Sequence, residues 1–352
     1  MAKVRVGVIG AGAWAVSSHL PTLRSRADDV EFTAVSRLGA DALARIRAEY
    51  GFAVASEDYR DVIAAEPDVV VVSSPSGLHH EHAKAALEAG AHVMCEKPVT
   101  IDPADAWDLV ETARRVDREL IISFGWNYLP MLGEAKRLMD EIGIGALEHM
   151  TVHMASVTRE LLADQGGYAH AAGDAVPDPA TWTDASKSGG GYGQAQLSHA
   201  LGMALWLTGA RADSAFALMS APLGARVELH DAIAMTYEGG AIGVLSGASC
   251  HRAFDRNKHQ LEIRAVGSEG QFHIDVAADV LWIYRPDEVD LRVDLPPDAG
   301  LYHDEGPIHA LVDAGLGRAV DNRSPGELGA RTVEALELAY RSAASGVREY
   351  RT

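Results

Sequence analysis

The first 26 residues of the chain contain an apolar strand, a glycine turn and a helix in direct succession. Residues 3–9 have the composition of a short strand, residues 10–15 read Gly-Ala-Gly-Ala-Trp-Ala, and residues 17–26 have helical spacing. This order is typical of the first strand and helix of a parallel sheet, with the turn at the carboxyl end of the strand.

The turn has the residues that nucleotide phosphates require. Gly10 can adopt the tight turn, Gly12 lets the backbone approach a pyrophosphate, and the small Ala15 permits close packing of the helix. The start of the helix would direct its free N–H groups and its dipole at the phosphates. We therefore expect Gly10, Gly12, Ala13 and Trp14 to bind a dinucleotide; the alternative is a turn with a purely structural role.

Strand and helix patterns alternate as far as residue 124. Predicted strands cover residues 31–36, 68–73, 91–95 and 120–124, and predicted helices cover residues 40–50, 81–89 and 103–115. Residues 68–73 are apolar enough for the middle of a sheet that is covered on both faces. The fold class predicted for residues 1–125 is therefore α/β, with a Rossmann doubly wound parallel sheet.

The pattern changes near residue 126, and we expect a second, α+β domain over residues 126–352. After a helix at 132–141, alternating apolar and polar positions predict mainly antiparallel strands at residues 149–157, 214–219, 226–237, 241–249, 261–266 and 270–275. The irregular segment 165–193 is long enough to be a functional loop. A last helix, 328–345, is a candidate to pack back on the first domain.

Charge and cysteine content restrict the partners and the compartment. The 50 acidic and 31 basic residues give a net charge of −19, which repels phosphate backbones and anionic lipids. We therefore expect no nucleic acid and no membrane partner. Only Cys95 and Cys250 are present, and the sequence has neither a signal-peptide core nor a run of about 20 apolar residues, so we expect a cytoplasmic protein.

Ser36 and Arg37 end the second predicted strand, where an acidic residue would hold a ribose 2′-hydroxyl group. A hydroxyl and a guanidinium suit a 2′-phosphate, which a carboxylate would repel. We therefore prefer NADP to NAD as the cofactor. Alternatively, Arg37 is a solvated loop cation, or it stacks on adenine with no phosphate present.

Two more strand ends carry polar motifs, and strand carboxyl ends line the ligand crevice of such sheets. Ser74 and Pro75 end one strand, with His79 four residues beyond, and Glu96-Lys97-Pro98 ends the next. Lys97 can hold a substrate hydroxyl and share its proton; the alternative is a surface cation paired with Glu96. For His79, helix capping or packing is as reasonable as a ligand contact.

A glycine run, 189–193, leads into an apolar helix at residues 200–208, with Gln196 and His199 three residues apart on one face. A histidine is the natural proton acceptor when a secondary alcohol loses its hydride. A lone histidine on an apolar helix is more often a core residue. The glycine run and the Lys97 motif favour a catalytic role for His199.

Taken in order, these motifs and the turn at 267–270 resemble the glucose–fructose oxidoreductase, inositol dehydrogenase and rhizopine-catabolism (Gfo/Idh/MocA) family. The resemblance covers essentially the whole chain. It implies a Rossmann domain followed by an open-faced, mainly antiparallel sheet that often mediates homodimers or homotetramers. It also implies hydride exchange with sugars, cyclitols or their derivatives, without a metal.

Carried over by position, the resemblance makes Lys97 and His199 the catalytic residues and Asn127 the substrate-side asparagine. Two positions depart from the family pattern. Ala195 stands where many members have an aspartate four residues before the histidine, and Tyr128 stands where many have an arginine. Both changes leave the proton-transfer geometry open and suggest an unusual substrate subclass.

The sequence therefore predicts an NAD(P)-dependent dehydrogenase or reductase acting on a sugar-like or cyclitol-like molecule. The expected cofactor contacts are Gly10, Gly12, Ala13, Trp14, Ser36, Arg37, Ser74, Pro75, His79, Glu96, Lys97 and Asn127. The expected substrate contacts are Lys97, Asn127, Tyr128, Arg159, Trp182, Gln196 and His199, although Arg159 and Trp182 also suit loop positions and Tyr128 suits packing. The alternatives are a redox-assisted lyase or glycosidase with tightly bound NAD, and a non-catalytic regulator that senses a sugar or the cofactor.

Overall fold

The computed structural model describes residues 3–166, 173, 176–251 and 259–352. Its first sheet has six parallel strands in the order β3-β2-β1-β4-β5-β6. These strands are β1 (Val4–Ile9), β2 (Val30–Ser36), β3 (Val54–Ser56), β4 (Val69–Val72), β5 (His92–Cys95) and β6 (Leu120–Ile122). The structure confirms the doubly wound Rossmann sheet.

Helices connect these strands and cover both faces of the sheet. They are α1 (Leu20–Ser25), α2 (Ala40–Tyr50), α3 (Tyr59–Ala64), α4 (His79–Glu88) and α5 (Pro103–Val116). Side chains cap two of them, because Asp58 accepts a hydrogen bond from the backbone of Arg60 and Asp102 from that of Ala104. All four residues of β4 are fully buried, as expected for a central parallel strand.

Register places the carboxyl ends of the central strands side by side. Ser36 of β2 pairs with Ile9 of β1, Ile9 pairs with Val72 of β4, and Val72 pairs with Cys95 of β5. The residues that follow each strand therefore line one edge of the sheet. Every strand-end motif of the first domain lies along that edge.

The second sheet has nine strands in the order β14-β13-β12-β11-β7-β10-β9-β8-β15. They are β7 (Leu147–Ser156), β8 (Ala212–Ser220), β9 (His230–Tyr237), β10 (Ile242–Ser249), β11 (Gln260–Gly267), β12 (Gly270–Asp275), β13 (Val280–Arg285), β14 (Val289–Arg292) and β15 (Glu349–Tyr350). The β7–β10 pair is parallel and the other pairs are antiparallel, which confirms the mainly antiparallel prediction.

The remaining α-helices lie before and between these strands along the chain. They are α6 (Pro130–Glu141), α7 (Arg159–Leu162), α8 (Ala180–Thr183), α9 (Ala185–Ser188), α10 (Ser198–Thr208), α11 (Gly306–Gly315) and α12 (Gly326–Ser345). Of the predicted functional loop 165–193, residues 167–172 and 174–175 lie outside the described residues, and the described part contains α8 and α9. Within the described ranges, no helix is both long and apolar enough to cross a membrane.

The long helix α12 contacts both sheets. A Cβ atom added at Gly326 would lie 2.6 Å from Leu120 of β6, and one added at Gly329 would lie 2.8 Å from Ile122. The same helix packs on β8 and on α10. One hydrophobic core includes buried residues from both sheets. The two domains therefore pack directly against each other.

One face of the second sheet is covered and the other is open. Along β10 and β9, alternate residues such as Leu245 and Ile233 are fully or almost fully buried under the helices. The opposite face exposes apolar side chains, among them Leu218 (67% exposed) and Ile242 (56%). An apolar patch on a sheet face is typical of a protein–protein contact.

Candidate active site

The glycine turn after β1 is held against two neighbouring strand ends. Gly10 has a φ of +76°, and a Cβ atom there would lie 2.4 Å from the backbone nitrogen of Ser74. The N–H groups of Gly10 and Ala11 both donate to the carbonyl oxygen of Ser36 at 2.9 Å. Only glycine fits at position 10, because the backbone conformation and the close approach both exclude a side chain.

A cleft of about 1720 Å³ lies along this edge of the sheet and is lined by both domains. It contains most of the residues that the sequence singled out. These are Gly10, Gly12, Ala13, Trp14, Ser36, Arg37, Ser74, Pro75, His79, Glu96, Lys97, Trp182, Gln196 and His199. The size suits a dinucleotide together with a small substrate, since it exceeds the usual volume of a pocket for one small molecule.

Asn127, Tyr128 and Arg159 do not line this cleft, which departs from the sequence expectation. The Asn127 side chain is fully buried and donates to the carbonyl oxygen of Arg323 at 2.9 Å. The Tyr128 hydroxyl lies 3.1 Å from the Ser324 hydroxyl and accepts from the backbone of Arg323. Both side chains therefore hold the segment before α12, and Arg159 is a half-buried residue at the start of α7.

Glu96 forms a buried pair that the sequence did not reveal. One carboxylate oxygen lies 2.8 Å from Nε2 of His19, and the other accepts the backbone N–H of Lys97. Burial alone would raise the pKa of Glu96, but the hydrogen bond and charge of His19, with the charge of Lys97, lower it overall. Glu96 is therefore an ionised carboxylate, and its negative charge offsets the positive charge of Lys97.

Lys97 extends from the first domain to the second. Its Nζ donates to the carbonyl oxygen of Ala195 at 2.6 Å and lies 5.9 Å from the centre of the Trp182 ring. Burial lowers the pKa of Lys97, and the charge of Glu96 opposes that effect. The ammonium group is therefore easier to deprotonate than that of an exposed lysine.

His199 is the second residue of α10 and is only 6% exposed. Its Nδ1 is buried and has no hydrogen-bond partner in the part of the chain that the structure describes. The ring packs edge-on against Phe124 and Tyr302, at 6.0 and 6.3 Å between centres. Burial, together with the charge of Lys97 and of His259, lowers the pKa of His199 well below its usual 6.5. The imidazole is thus neutral near pH 7 and can accept a proton.

The glycine run before α10 packs on a half-buried glutamate that the sequence did not single out. Glu228 accepts hydrogen bonds from the N–H groups of Gly191 and Gly193 at 2.9 and 3.0 Å and from the Tyr340 hydroxyl at 2.6 Å. A Cβ atom at Gly190 would lie 2.2 Å from that hydroxyl oxygen. The run therefore allows close packing, and this packing fixes the backbone that leads to His199.

His79 joins two of the strand-end segments. Its Nδ1 lies 2.8 Å from the carbonyl oxygen of Pro98 and its Nε2 lies 2.7 Å from that of Ser74. Although it lines the cleft, both ring nitrogens face main-chain oxygens. This geometry matches the packing alternative, because His79 holds the Ser74 and Lys97 segments together.

At the end of the cleft away from Lys97, the surroundings of Gly12 and Arg37 fit a dinucleotide. A Cβ atom at Gly12 would meet only one atom, 3.8 Å away, so the backbone there is open to close approach. Nη1 of Arg37 is buried with no hydrogen-bond partner among the residues described, while its Nε donates to the carbonyl oxygen of Leu38. A buried donor of this kind calls for an acceptor such as a phosphate oxygen.

Three aromatic or histidine side chains at the Lys97 end were missed by the sequence interpretation. Trp126, His259 and Tyr302 all line the cleft, and the rings of these three side chains pack against one another. Trp126 lies in a short 3-10 helix after β6, His259 directly precedes β11, and Tyr302 lies between β14 and α11, so they form no local motif. Only the assembled fold brings them to His199.

Sequence comparisons agree with this architecture. A family model described as "Oxidoreductase family, NAD-binding Rossmann fold" matches residues 4–124, and the model of the GFO/IDH/MocA C-terminal domain matches residues 132–273. The chain belongs to the Gfo/Idh/MocA family. Membership of the Gfo/Idh/MocA family confirms the resemblance drawn from Lys97, His199 and the glycine turn.

Individual Gfo/Idh/MocA relatives match over parts of their length. The chain is 38% identical over 160 residues to a D-glucoside 3-dehydrogenase of Escherichia coli K12, covering 44% of each protein. It is 30% identical over 184 residues to a glycosyl hydrolase family 109 protein of Shewanella amazonensis, covering 48% of this chain and 36% of that one. The chain therefore spans less than half the length of each of these two relatives.

A levoglucosan dehydrogenase solved with NADH and levoglucosan superposes with a TM-score of 0.77. The alignment covers 99% of this chain and 100% of that one, with 19% sequence identity. At that identity the likeness shows a shared fold of both domains.

Proposed function

We propose that this protein is an NAD(P)-dependent oxidoreductase that transfers a hydride between its cofactor and a secondary hydroxyl or ketone of a sugar or cyclitol. The observation that carries the proposal is the convergence of Lys97 and His199, from different domains, in the same cleft as the dinucleotide-type turn at Gly10. The similarity to a D-glucoside 3-dehydrogenase supports the substrate class.

The cofactor would be held by the turn residues Gly10 to Trp14, by Ser36 and Arg37, and by Ser74 and Pro75. When bound, the nicotinamide ring supplies the hydride acceptor or donor. We propose NADP as the preferred form, because the buried, unpartnered Nη1 of Arg37 suits a 2′-phosphate. Glu57 also lines this part of the cleft, but its carboxylate accepts the backbone N–H of Gly39.

Proton transfer would be divided between two side chains. The neutral imidazole of His199 accepts the proton of a substrate hydroxyl during oxidation and returns it during reduction. The Lys97 ammonium donates a hydrogen bond to the same substrate oxygen and stabilises negative charge that develops there. The negative charge of Glu96 partly offsets the effect of burial, which favours the uncharged amine of Lys97. Trp182 and Gln196 line the space left for the ring.

We also propose that the protein is a homodimer or homotetramer in the cytoplasm. The oligomer is supported by the open sheet face, where apolar side chains are 40–67% exposed: Phe216, Leu218, Ile242 and Val244. Analytical ultracentrifugation of the purified protein would show two or four copies of the chain.

The test is a screen of sugars, cyclitols and their keto forms, with NAD and NADP measured in parallel through nicotinamide absorbance. We expect at least one polyol to reduce the cofactor, with NADP preferred. No reduction with any polyol and either cofactor would contradict the proposed function, and a strong preference for NAD would contradict only the role of Arg37.

A second candidate is redox-assisted cleavage of a glycoside by tightly held NAD, favoured by the similarity to the glycosyl hydrolase family 109 protein. In that reaction the cofactor first takes a hydride from the sugar, elimination then breaks the glycosidic bond, and the hydride finally returns to the sugar. It is distinguished by glycoside cleavage with cofactor that copurifies and shows no net change in absorbance.

A further inference from the structure

We propose that Glu228 is a positioning residue for the catalytic pair. Its carboxylate, together with the Tyr340 hydroxyl, caps the helix that carries His199 and that also presents the backbone carbonyl bound by Lys97. This inference rests on the function proposed above, which gives Lys97 and His199 their roles. It adds to that function a residue that acts on the reaction through the backbone.

The helix that carries His199 begins at the end of the glycine run. Residues Gly193–Leu197 form a π-helical turn, and α10 continues from it at Ser198. The first N–H groups of a helix have no acceptor within the helix, so other groups must satisfy them. The N–H groups in question belong to residues 191–194, immediately ahead of Ala195.

Glu228 and Tyr340 together accept all four N–H groups of residues 191–194. The Glu228 carboxylate accepts the first and the third at 2.9 and 3.0 Å, and the Glu228 backbone carbonyl accepts the second at 2.9 Å. The Tyr340 hydroxyl accepts the fourth at 3.2 Å and itself donates to the Glu228 carboxylate at 2.6 Å. Two residues from distant parts of the sequence therefore satisfy the start of this helix.

The groups around the Glu228 side chain suit an ionised carboxylate. Its oxygens face two backbone N–H groups and one hydroxyl, and all three donate to it. Burial raises the pKa of Glu228, and the hydrogen bonds from Tyr340 and from the glycine N–H groups partly offset that effect. Glu228 thus places negative charge at the start of the helix, where the helix dipole favours it.

Close packing holds this cap in place. A Cβ atom at Gly191 would lie 2.1 Å from the carbonyl oxygen of Glu228, and one at Gly193 would lie 2.7 Å from the hydroxyl oxygen of Tyr340. Tyr340 belongs to α12, which packs on α10 and on β8. Neither Glu228 nor Tyr340 is among the described residues that line the cleft. The cap therefore acts from behind the site.

Both catalytic side chains depend on where this helix begins. The carbonyl oxygen of Ala195 accepts from Lys97 at 2.6 Å, and the N–H of Ala195 donates to the carbonyl oxygen of Gly191, which Glu228 holds. His199 lies four residues further along the same helix and lines the cleft. A shift of the helix start would displace the lysine's acceptor and the imidazole together, and a displacement of about 1 Å can slow a reaction about a hundredfold.

The experiment compares Glu228→Ala, Glu228→Gln and Tyr340→Phe with the wild type. Two control variants change the same residue types elsewhere. Glu334→Gln alters a glutamate of α12 that accepts from Arg211, and Tyr237→Phe removes a buried hydroxyl from β9.

Two kinds of measurement are made on each protein. The values of kcat and KM for the best polyol are calculated per cofactor-binding site, so that unfolded protein does not count, and cofactor affinity is measured by fluorescence. Acetylation of Lys97 by acetic anhydride, followed by mass spectrometry, reports the accessibility of its amine without any turnover. Lys84, which is paired with Asp108 in the first domain, is the internal reference.

We expect kcat to fall about tenfold or more in Glu228→Ala, with cofactor affinity unchanged. Glu228→Gln keeps one acceptor oxygen and should recover part of the rate, and Tyr340→Phe should show a smaller loss in the same direction. Acetylation of Lys97 should increase severalfold in Glu228→Ala relative to Lys84, because the bond from Lys97 to Ala195 is weakened. Both controls should match the wild type.

Lys97 acetylation that equals the wild-type rate in Glu228→Ala, or that rises only in step with Lys84, would overturn the inference, as would a wild-type kcat in that variant. If Glu228→Ala does not fold, Glu228→Gln and Tyr340→Phe decide by the same measures. A wild-type protein that turns over no polyol would contradict the proposed function, and acetylation of Lys97 alone would then decide whether Glu228 positions it.

Discussion

The side-chain nitrogen of Lys97 donates a hydrogen bond to the backbone carbonyl oxygen of Ala195, at 2.6 Å. Lys97 follows a strand of the parallel sheet, whereas Ala195 precedes the helix that carries His199, so this bond joins the two domains at the site. Many family members have an aspartate at position 195. Here the side chain is a methyl group, and Lys97 contacts only the neutral backbone carbonyl of this residue. A carbonyl orients the ammonium group but supplies no full negative charge.

Introducing the missing carboxylate should change the pH dependence of the reaction. In Ala195→Asp a negative charge beside His199 and Lys97 raises the pKa of both. The acid limb of the kcat/KM profile should then move to higher pH than in the wild type. Ala195→Asn, which has nearly the same shape and no charge, is the control; an equal shift in both variants would show that charge is not the cause.

The wild-type profile follows from the pKa of His199, which burial lowers well below 6.5. The imidazole accepts a proton only in its neutral form, which predominates above that lowered pKa. Polyol oxidation should therefore remain at its plateau as the pH falls through 6.5 and decline only at lower pH. A kcat/KM profile with its acid limb above 6.5 would disagree with this assignment.

Arg37 should determine the choice of cofactor. Arg37→Ala removes the donor expected to bind a 2′-phosphate and should weaken NADP binding about tenfold or more, with little effect on NAD. Arg115→Ala, at an exposed position on α5, is the matched loss of a cation. Titration of tryptophan fluorescence with each cofactor measures both constants. Equal weakening of NAD and NADP would indicate stacking on adenine, the alternative considered for Arg37.

Asp231 should make the folded protein less stable at alkaline pH. Burial, with the nearby charge of Glu228, raises the pKa of Asp231 from 3.8 to about 8. The fold favours its protonated form, so its contribution to stability is complete below 3.8 and is lost as the pH rises towards 8.

The neutral variant Asp231→Asn should therefore melt at a higher temperature than the wild type near pH 8, and the difference should shrink near about pH 5. Scanning calorimetry at the two pH values measures this effect. A difference in Tm that does not change with pH would show that ionisation of Asp231 is not responsible.

The sequence predicted the fold of the first domain, and it singled out strand-end residues that line the cleft, because these signals are local. The turn at Gly10 and the helix Ala40–Tyr50 each depend on a short run of residues whose spacing determines the structure. Lys97 could be placed for the same reason, since the residue after a buried parallel strand must lie at the edge of the sheet.

The positions of the remaining residues are determined by contacts with residues far away in the sequence, which no local pattern reveals. Asn127 and Tyr128 follow β6 as a substrate-side motif would, but they bond to Arg323 and Ser324, nearly 200 residues later, and so lie outside the cleft. His19 was missed because its partner, Glu96, is 77 residues away. The helix α11 was missed because most of its residues are apolar and buried, so its sequence lacks the alternation of apolar and polar faces that marks a surface helix.

The most direct measurement is the turnover of Lys97→Met and His199→Asn on the best polyol, alongside the affinity of each variant for the cofactor. We predict that kcat falls about a hundredfold or more in each variant, because each loses a group that holds or moves the substrate proton, while cofactor binding stays close to that of the wild type. Turnover near the wild-type rate in both variants would contradict the assignment of Lys97 and His199 as the catalytic pair.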